Sequence, residues 1–102
     1  MADFMRVVQS GRWGAVPEAL IEDPRLSLTA RAVGVWLAIR PDGWQMMVEP
    51  LRERLGLGRD AWRSAARQLE AAGYLRRWKK QDQLTGQWQW GSDFDPQGAR
   101  DP

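Results

Sequence analysis

Residues 51–75 read LRERLGLGRDAWRSAARQLEAAGYL. Val48, Leu51 and Leu55 form a short apolar stripe at helical spacing, and Pro50 is tolerated only in the first turn of that helix, which sets its start near Met47. Gly56-Leu57-Gly58 interrupts the pattern, with Gly56 suited to the left-handed conformation that ends a helix. From Arg59 onward, Trp62, Ala65, Ala66 and Leu69 define a further helix that runs to about Ala72 and stops at Gly73. Two helices joined by a three-residue, glycine-containing turn make a helix-turn-helix arrangement.

Downstream, residues 74–80 show no helical stripe, while Gln87-Trp88-Gln89-Trp90 alternates polar and aromatic as a half-buried strand does. Asp82, Thr85 and Gly86 supply turn chemistry between them, which gives a β-hairpin. Residues 92–102 hold three aspartates and almost nothing apolar beyond Phe94, so a flexible acidic tail is expected there. Upstream, Ser27 or Thr29 caps a helix whose expected buried stripe is Leu28, Ala32, Val35, Trp36 and Ile39, ended by Pro41-Asp42-Gly43. Pro17 opens a short helix that Asp23-Pro24 stops. Residues 4–8 are rich in strand formers and are expected to turn at Gln9-Ser10-Gly11 into residues 12–16. The expected division is an N-terminal strand or hairpin segment over 1–16, a helical and hairpin domain over 17–91, and the tail over 92–102. The fold class is α+β.

A chain of 102 residues supports one hydrophobic core, because two would leave each near the lower size limit for independent folding. The sequence has neither cysteine nor histidine, which removes disulfides, thiolate nucleophiles, imidazole bases and the usual zinc sites. No apolar run approaches the roughly 20 residues of a membrane span, and Asp3 and Arg6 interrupt what a secretory signal would need, so a cytoplasmic location is expected. The net charge of +2 conceals a strong asymmetry. Residues 1–51 carry 5 basic and 6 acidic side chains, residues 52–80 carry 9 and 3, and residues 81–102 carry 1 and 4. The middle segment is thus strongly cationic over a range shorter than the chain, and its partner is expected to be acidic.

The run from Leu51 to Leu75 resembles the segment in which winged helix-turn-helix domains pass from their second helix through the recognition helix into the first strand of the wing. Leu69 through Leu75, where a leucine, an Ala-Gly turn and an aromatic-aliphatic pair mark helix passing into strand, is its most specific part. Leu26-Ser27-Leu28-Thr29-Ala30-Arg31 is similar to the opening of the first long helix in such domains of phage and plasmid replication initiators and small regulators. The resemblance implies a three-helix core with a C-terminal hairpin wing, to which the N-terminal strand or hairpin would be added. Three positions depart from the pattern. Arg52 stands where these domains usually carry alanine, Gly58 where a serine or threonine caps the recognition helix, and Trp62 where valine or isoleucine is usual.

With Trp62, Ala65, Ala66 and Leu69 facing the core, Arg59, Arg63 and Arg67 repeat every four residues on the opposite side, with Ser64 beside them. Guanidinium groups suit bidentate contact with guanine or phosphate, and the major groove admits a helix. In the resembled fold, Arg76, Arg77, Lys79 and Lys80 of the wing lie over the phosphate backbone or the minor groove. Neutralising six phosphates gives a salt slope of about −5. The expected function is sequence-specific binding of double-stranded DNA by a small transcriptional regulator or replication-associated factor of a phage or plasmid, acting as a homodimer because one recognition helix reads few base pairs. The competing reading is a winged-helix interaction module that inhibits a host protein or nucleoprotein complex, in the manner of an anti-CRISPR protein, with Trp88 and Trp90 as its interface. Asp23, Asp42, Asp60 and Asp82 sit at turns or helix starts, where capping explains them, and there is neither a phosphate-binding glycine loop nor a histidine-assisted nucleophile. No enzymatic activity, cofactor or metal is expected.

Overall fold

The computed structural model describes residues 3–8 and 16–98. In chain order these form β1 (Asp3–Val7), α1 (Glu18–Ile21), α2 (Leu28–Ala38), β2 (Gln45–Met47), α3 (Val48–Arg54), α4 (Arg59–Ala71), β3 (Leu75–Gln81) and β4 (Trp88–Phe94). The strands make one mixed sheet in the order β2-β1-β4-β3. β1 runs antiparallel to β2 and parallel to β4, and β3 and β4 are antiparallel. The result is a small α+β domain whose helices cover one face of the sheet.

Period-two alternation decides that face. Met5 and Val7 of β1, Ser92 and Phe94 of β4 and Leu75 of β3 point to the same side and are buried. They meet Leu20, Val33, Leu37, Val48, Leu51, Ala65 and Leu69 of the helices in a single core.

β1 pairs with β2 and β4. Residues 12–15, most of its expected hairpin partner, lie outside the described residues. The expectation of a loose chain from residue 92 is corrected by β4, which continues through Ser92-Asp93-Phe94 as an inner strand. Phe94 is fully buried, Pro96 is buried, and the Asp95 amide donates to the Tyr74 carbonyl at 2.9 Å. The alternation of Trp88 and Trp90 extends through Ser92 to Phe94, and that continuation is the sequence signal for the longer strand.

α2 is capped as expected, with Ser27 Oγ accepting from the Ala30 amide at 3.2 Å. Its buried face is a different one from the stripe read from the sequence. Ala30, Val33, Gly34, Leu37 and Ala38 are buried, whereas Leu28 is 80% exposed and Ala32 and Ile39 are exposed. The helix is apolar on two overlapping sides, so spacing alone does not select one. Leu20 of α1 does, because it sits so close to Gly34 that an added Cβ would lie 3.1 Å from its Cδ1. Trp36 is displaced to the flank, edge-on to Trp44 at 5.5 Å and 3.8 Å from the Arg40 guanidinium carbon.

Candidate nucleic-acid interface

α3 and α4 are joined by a tight turn in which Gly56 takes φ +71°. Arg52 fixes that turn. Its Nη1 donates to the Leu57 carbonyl at 2.7 Å and its Nη2 to Glu49 at 3.0 Å. The long side chain at a position that resembled domains fill with alanine is therefore turned along the helix end, where it satisfies a carbonyl and holds the Glu49 carboxyl below its ordinary pKa. α4 begins after Gly58, which provides no side-chain cap. It ends at Gly73, whose φ of +89° allows the Tyr74 amide to reach back to the Leu69 carbonyl at 2.9 Å.

Ala65 and Leu69 of α4 are buried, and Trp62 and Ala66 are half-buried against the core. Arg59, Arg63 and Arg67 are exposed, and among the described residues none of their side chains makes a hydrogen bond or an ion pair. They border a groove of about 720 Å³ between α3, α4 and the sheet. Arg52 and Arg77 complete its five arginines, while Asp3, Glu49 and Glu70 are its three carboxylates. Trp62 lines the same groove. Two of the five arginines are engaged: Arg52 with Glu49, and Arg77 with Asp3 at 3.6 Å. The three on α4 remain available to an external anion.

The hairpin residues divide between the two faces of the sheet. Arg77 and Lys79 stand on the helix side, in register with Ser92 and Trp90, whereas Arg76 and Lys80 point to the opposite side. Of the cations expected on one positive surface, the groove brings together Arg59, Arg63, Arg67 and Arg77; Lys79 shares the sheet face of Arg77 without lining the groove, and Arg76 and Lys80 point away. Lys79 lies between two indoles, its Nζ 5.3 Å from the Trp88 ring centroid and 5.7 Å from that of Trp90. Trp88 is exposed and Trp90 half-buried. Ser64 is drawn away from the groove, because its Oγ accepts from Gln68 Nε2 at 3.3 Å while Gln68 Oε1 accepts from the Ser27 amide at 2.7 Å. Sequence reasoning missed Asp3 and Arg52, which enter the groove from other elements. Arg52 carried a signal, since its charge departs from the resembled pattern; Asp3 carried none.

Among the described residues no group of acidic side chains is placed to hold a metal, and no helix is long and apolar enough to cross a membrane.

No family profile matches the chain, and no curated protein matches it. Among solved structures, the fold is similar to that of primosome protein DnaB (residues 1–300) from Geobacillus stearothermophilus, with a TM-score of 0.65 and 19% identity. The match covers 98% of this chain and 38% of that one. The likeness is one of fold.

Proposed function

We propose that this chain binds double-stranded DNA as a winged helix-turn-helix domain, with α3 and α4 as the helix pair and β3-β4 as the wing. The observation that carries this reading is the row Arg59, Arg63 and Arg67, free of ion pairs and bordering one groove with Arg77, with Lys79 on the same face of the sheet as Arg77. At 1.5 Å per residue the row spans about 12 Å of α4, equivalent to three or four base-pair steps. Arg63 and Arg67 read base edges in the major groove, and Arg77 and Lys79 contact phosphates. Counting Arg59 with them, three phosphate contacts give a salt slope of about −3. The fold likeness to a primosome protein favours a replication-associated role over transcriptional regulation. Selectivity among genomic sites calls for two copies on adjacent half-sites.

The test is a fluorescence-anisotropy titration with duplex DNA at 50 and 200 mM salt, for the unaltered chain and Arg63→Ala. Steep salt dependence and a loss of about 1 to 3 kcal/mol at one base-pair position are expected for the variant. No binding at 50 mM salt would reject the reading. It would favour the interaction-module alternative, for which Leu84, 96% exposed at the hairpin tip, and the exposed Trp88 are the supporting observation.

A further inference from the structure

The face of the sheet away from the helices has its own organisation. Strand register places Met47, Phe4, Gly91 and Trp78 in one row across all four strands. On one side of this row lie Arg6, Asp93 and Arg76, also in register, and on the other lie Gln89 and Lys80. Met47, Arg6, Arg76, Lys80 and Gln89 are exposed, and Phe4 and Trp78 are half-buried, so among the described residues nothing closes over them.

Trp78 is fixed flat on this face. A Cβ at Gly91 would fall inside van der Waals contact of three carbons of the indole, so the ring lies directly over the bare glycine backbone. Its Nε1 donates to Asp93 Oδ1 at 2.9 Å, and Arg6 holds Asp93 through two hydrogen bonds of 2.9 and 2.7 Å. Trp78 Nε1 and Arg6 Nε meet at the same carboxylate oxygen, which sets the guanidinium beside the N–H edge of the indole. Its carbon lies over the ring at 5.8 Å from the centroid, a cation–π distance, and the indole is half-buried. Arg76 and Lys80 make no ion pair among the described residues, and rows two residues apart stand about 7 Å from one another along the strand.

We propose that this second face binds single-stranded nucleic acid, with the Trp78 indole stacking on an unpaired base, Phe4 extending the platform, and Arg76 and Lys80 holding the flanking phosphates. A pre-positioned aromatic surface between cations matches a chain that alternates stackable rings with negative charge. A duplex offers no unstacked base to such a surface. A second copy of this chain would bring Arg76 and Lys80 against their own equivalents, where like charges oppose association. The proposal is independent of the duplex reading, because the two sets of residues lie on opposite faces of the sheet.

The test is the anisotropy of fluorescein-labelled dT12 titrated with the full chain at 50 mM salt, alongside a labelled duplex. Trp78→Leu, which keeps an apolar cover over Gly91 and removes the π-face, should weaken dT12 binding at least about fivefold. The double variant Arg76→Gln/Lys80→Gln, confined to exposed side chains, should lower dT12 affinity at least about fivefold more than duplex affinity. Arg63→Ala should leave dT12 binding unchanged. The proposal is overturned if the unaltered chain does not bind dT12, if Arg63→Ala abolishes that binding while the double variant retains it, or if sedimentation shows self-association that Trp78→Leu removes.

Discussion

The Tyr74 hydroxyl donates a 2.8 Å hydrogen bond to Asp23 Oδ2, tying the α4-β3 junction to the loop between α1 and α2. Asp23 is a buried carboxylate with a full set of donors: the Arg25 amide at 2.9 Å, Arg25 Nε at 2.9 Å, Arg25 Nη2 at 2.7 Å and Tyr74. Its carbonyl in turn accepts from Arg31 at 2.9 and 3.1 Å. The hydrogen bonds from Arg25 lead in holding the Asp23 carboxyl far below its ordinary pKa, while burial of the Tyr74 phenol raises its own.

The folded-state pKa of Asp23 is depressed, so its contribution to stability is fully present above the unfolded value of about 3.9 and is lost as pH falls below it. Urea unfolding of the unaltered chain should therefore show a midpoint that drops between about pH 4 and pH 2. Asp23→Asn should flatten that dependence and be less stable at pH 7. Tyr74→Phe leaves the arginine contacts in place and should cost about 1 to 2 kcal/mol at pH 7. An unchanged midpoint for both variants would contradict the account of this cluster.

Phe94 is fully buried in an inner strand of the sheet, among Met5, Val7 and Leu75. Phe94→Ala should cost about 3 to 5 kcal/mol by denaturant unfolding, the range for removing a core aromatic ring. A loss below about 1 kcal/mol would mean that this segment is peripheral, as its composition suggests.

Gly91 and Trp78 form a coupled pair. Gly91→Ala should cost about 1 to 3 kcal/mol, because the new methyl group must displace the indole and strain its hydrogen bond to Asp93. In a Trp78→Ala background the same methyl group no longer meets the indole, and its cost should fall sharply. The coupling in this double-mutant cycle checks the packing; additive effects would refute it.

The turn and α4 were legible in the sequence because their signals are local. Gly56, Gly58 and Gly73 punctuate stripes of strong helical periodicity, and Ser27 caps α2 without reference to anything distant. The α2 face was not legible, since both of its sides are apolar and the choice depends on Leu20 meeting Gly34. The parallel pairing of β1 with β4 joins the two ends of the chain, and no turn residue announces it. That pairing carries Asp3 to Arg77 and Arg6 to Asp93, so one of the groove's two ion pairs and the anchoring of Trp78 arise from non-local contacts. The division of Arg76 and Lys80 from Arg77 and Lys79 was available from period-two alternation alone.

Asp3 carries a carboxylate into the groove. It lies 3.6 Å from Arg77 and presents its negative charge to the groove that the α4 arginines border. An incoming phosphate must compete with this carboxylate for Arg77 and approach it against like-charge repulsion. Asp3→Asn keeps the shape of the side chain and removes the charge, so duplex affinity at 100 mM salt should rise, by about 1.4- to fivefold given the roughly 0.2 to 1 kcal/mol typical of exposed ion pairs. Arg77→Ala should act in the opposite direction and make the salt slope shallower by about one unit, while Arg76→Ala, on the other face, should leave the slope unchanged. Equal changes of slope for Arg76→Ala and Arg77→Ala would show that the duplex does not distinguish the two faces of the wing, and would remove the groove from the binding surface.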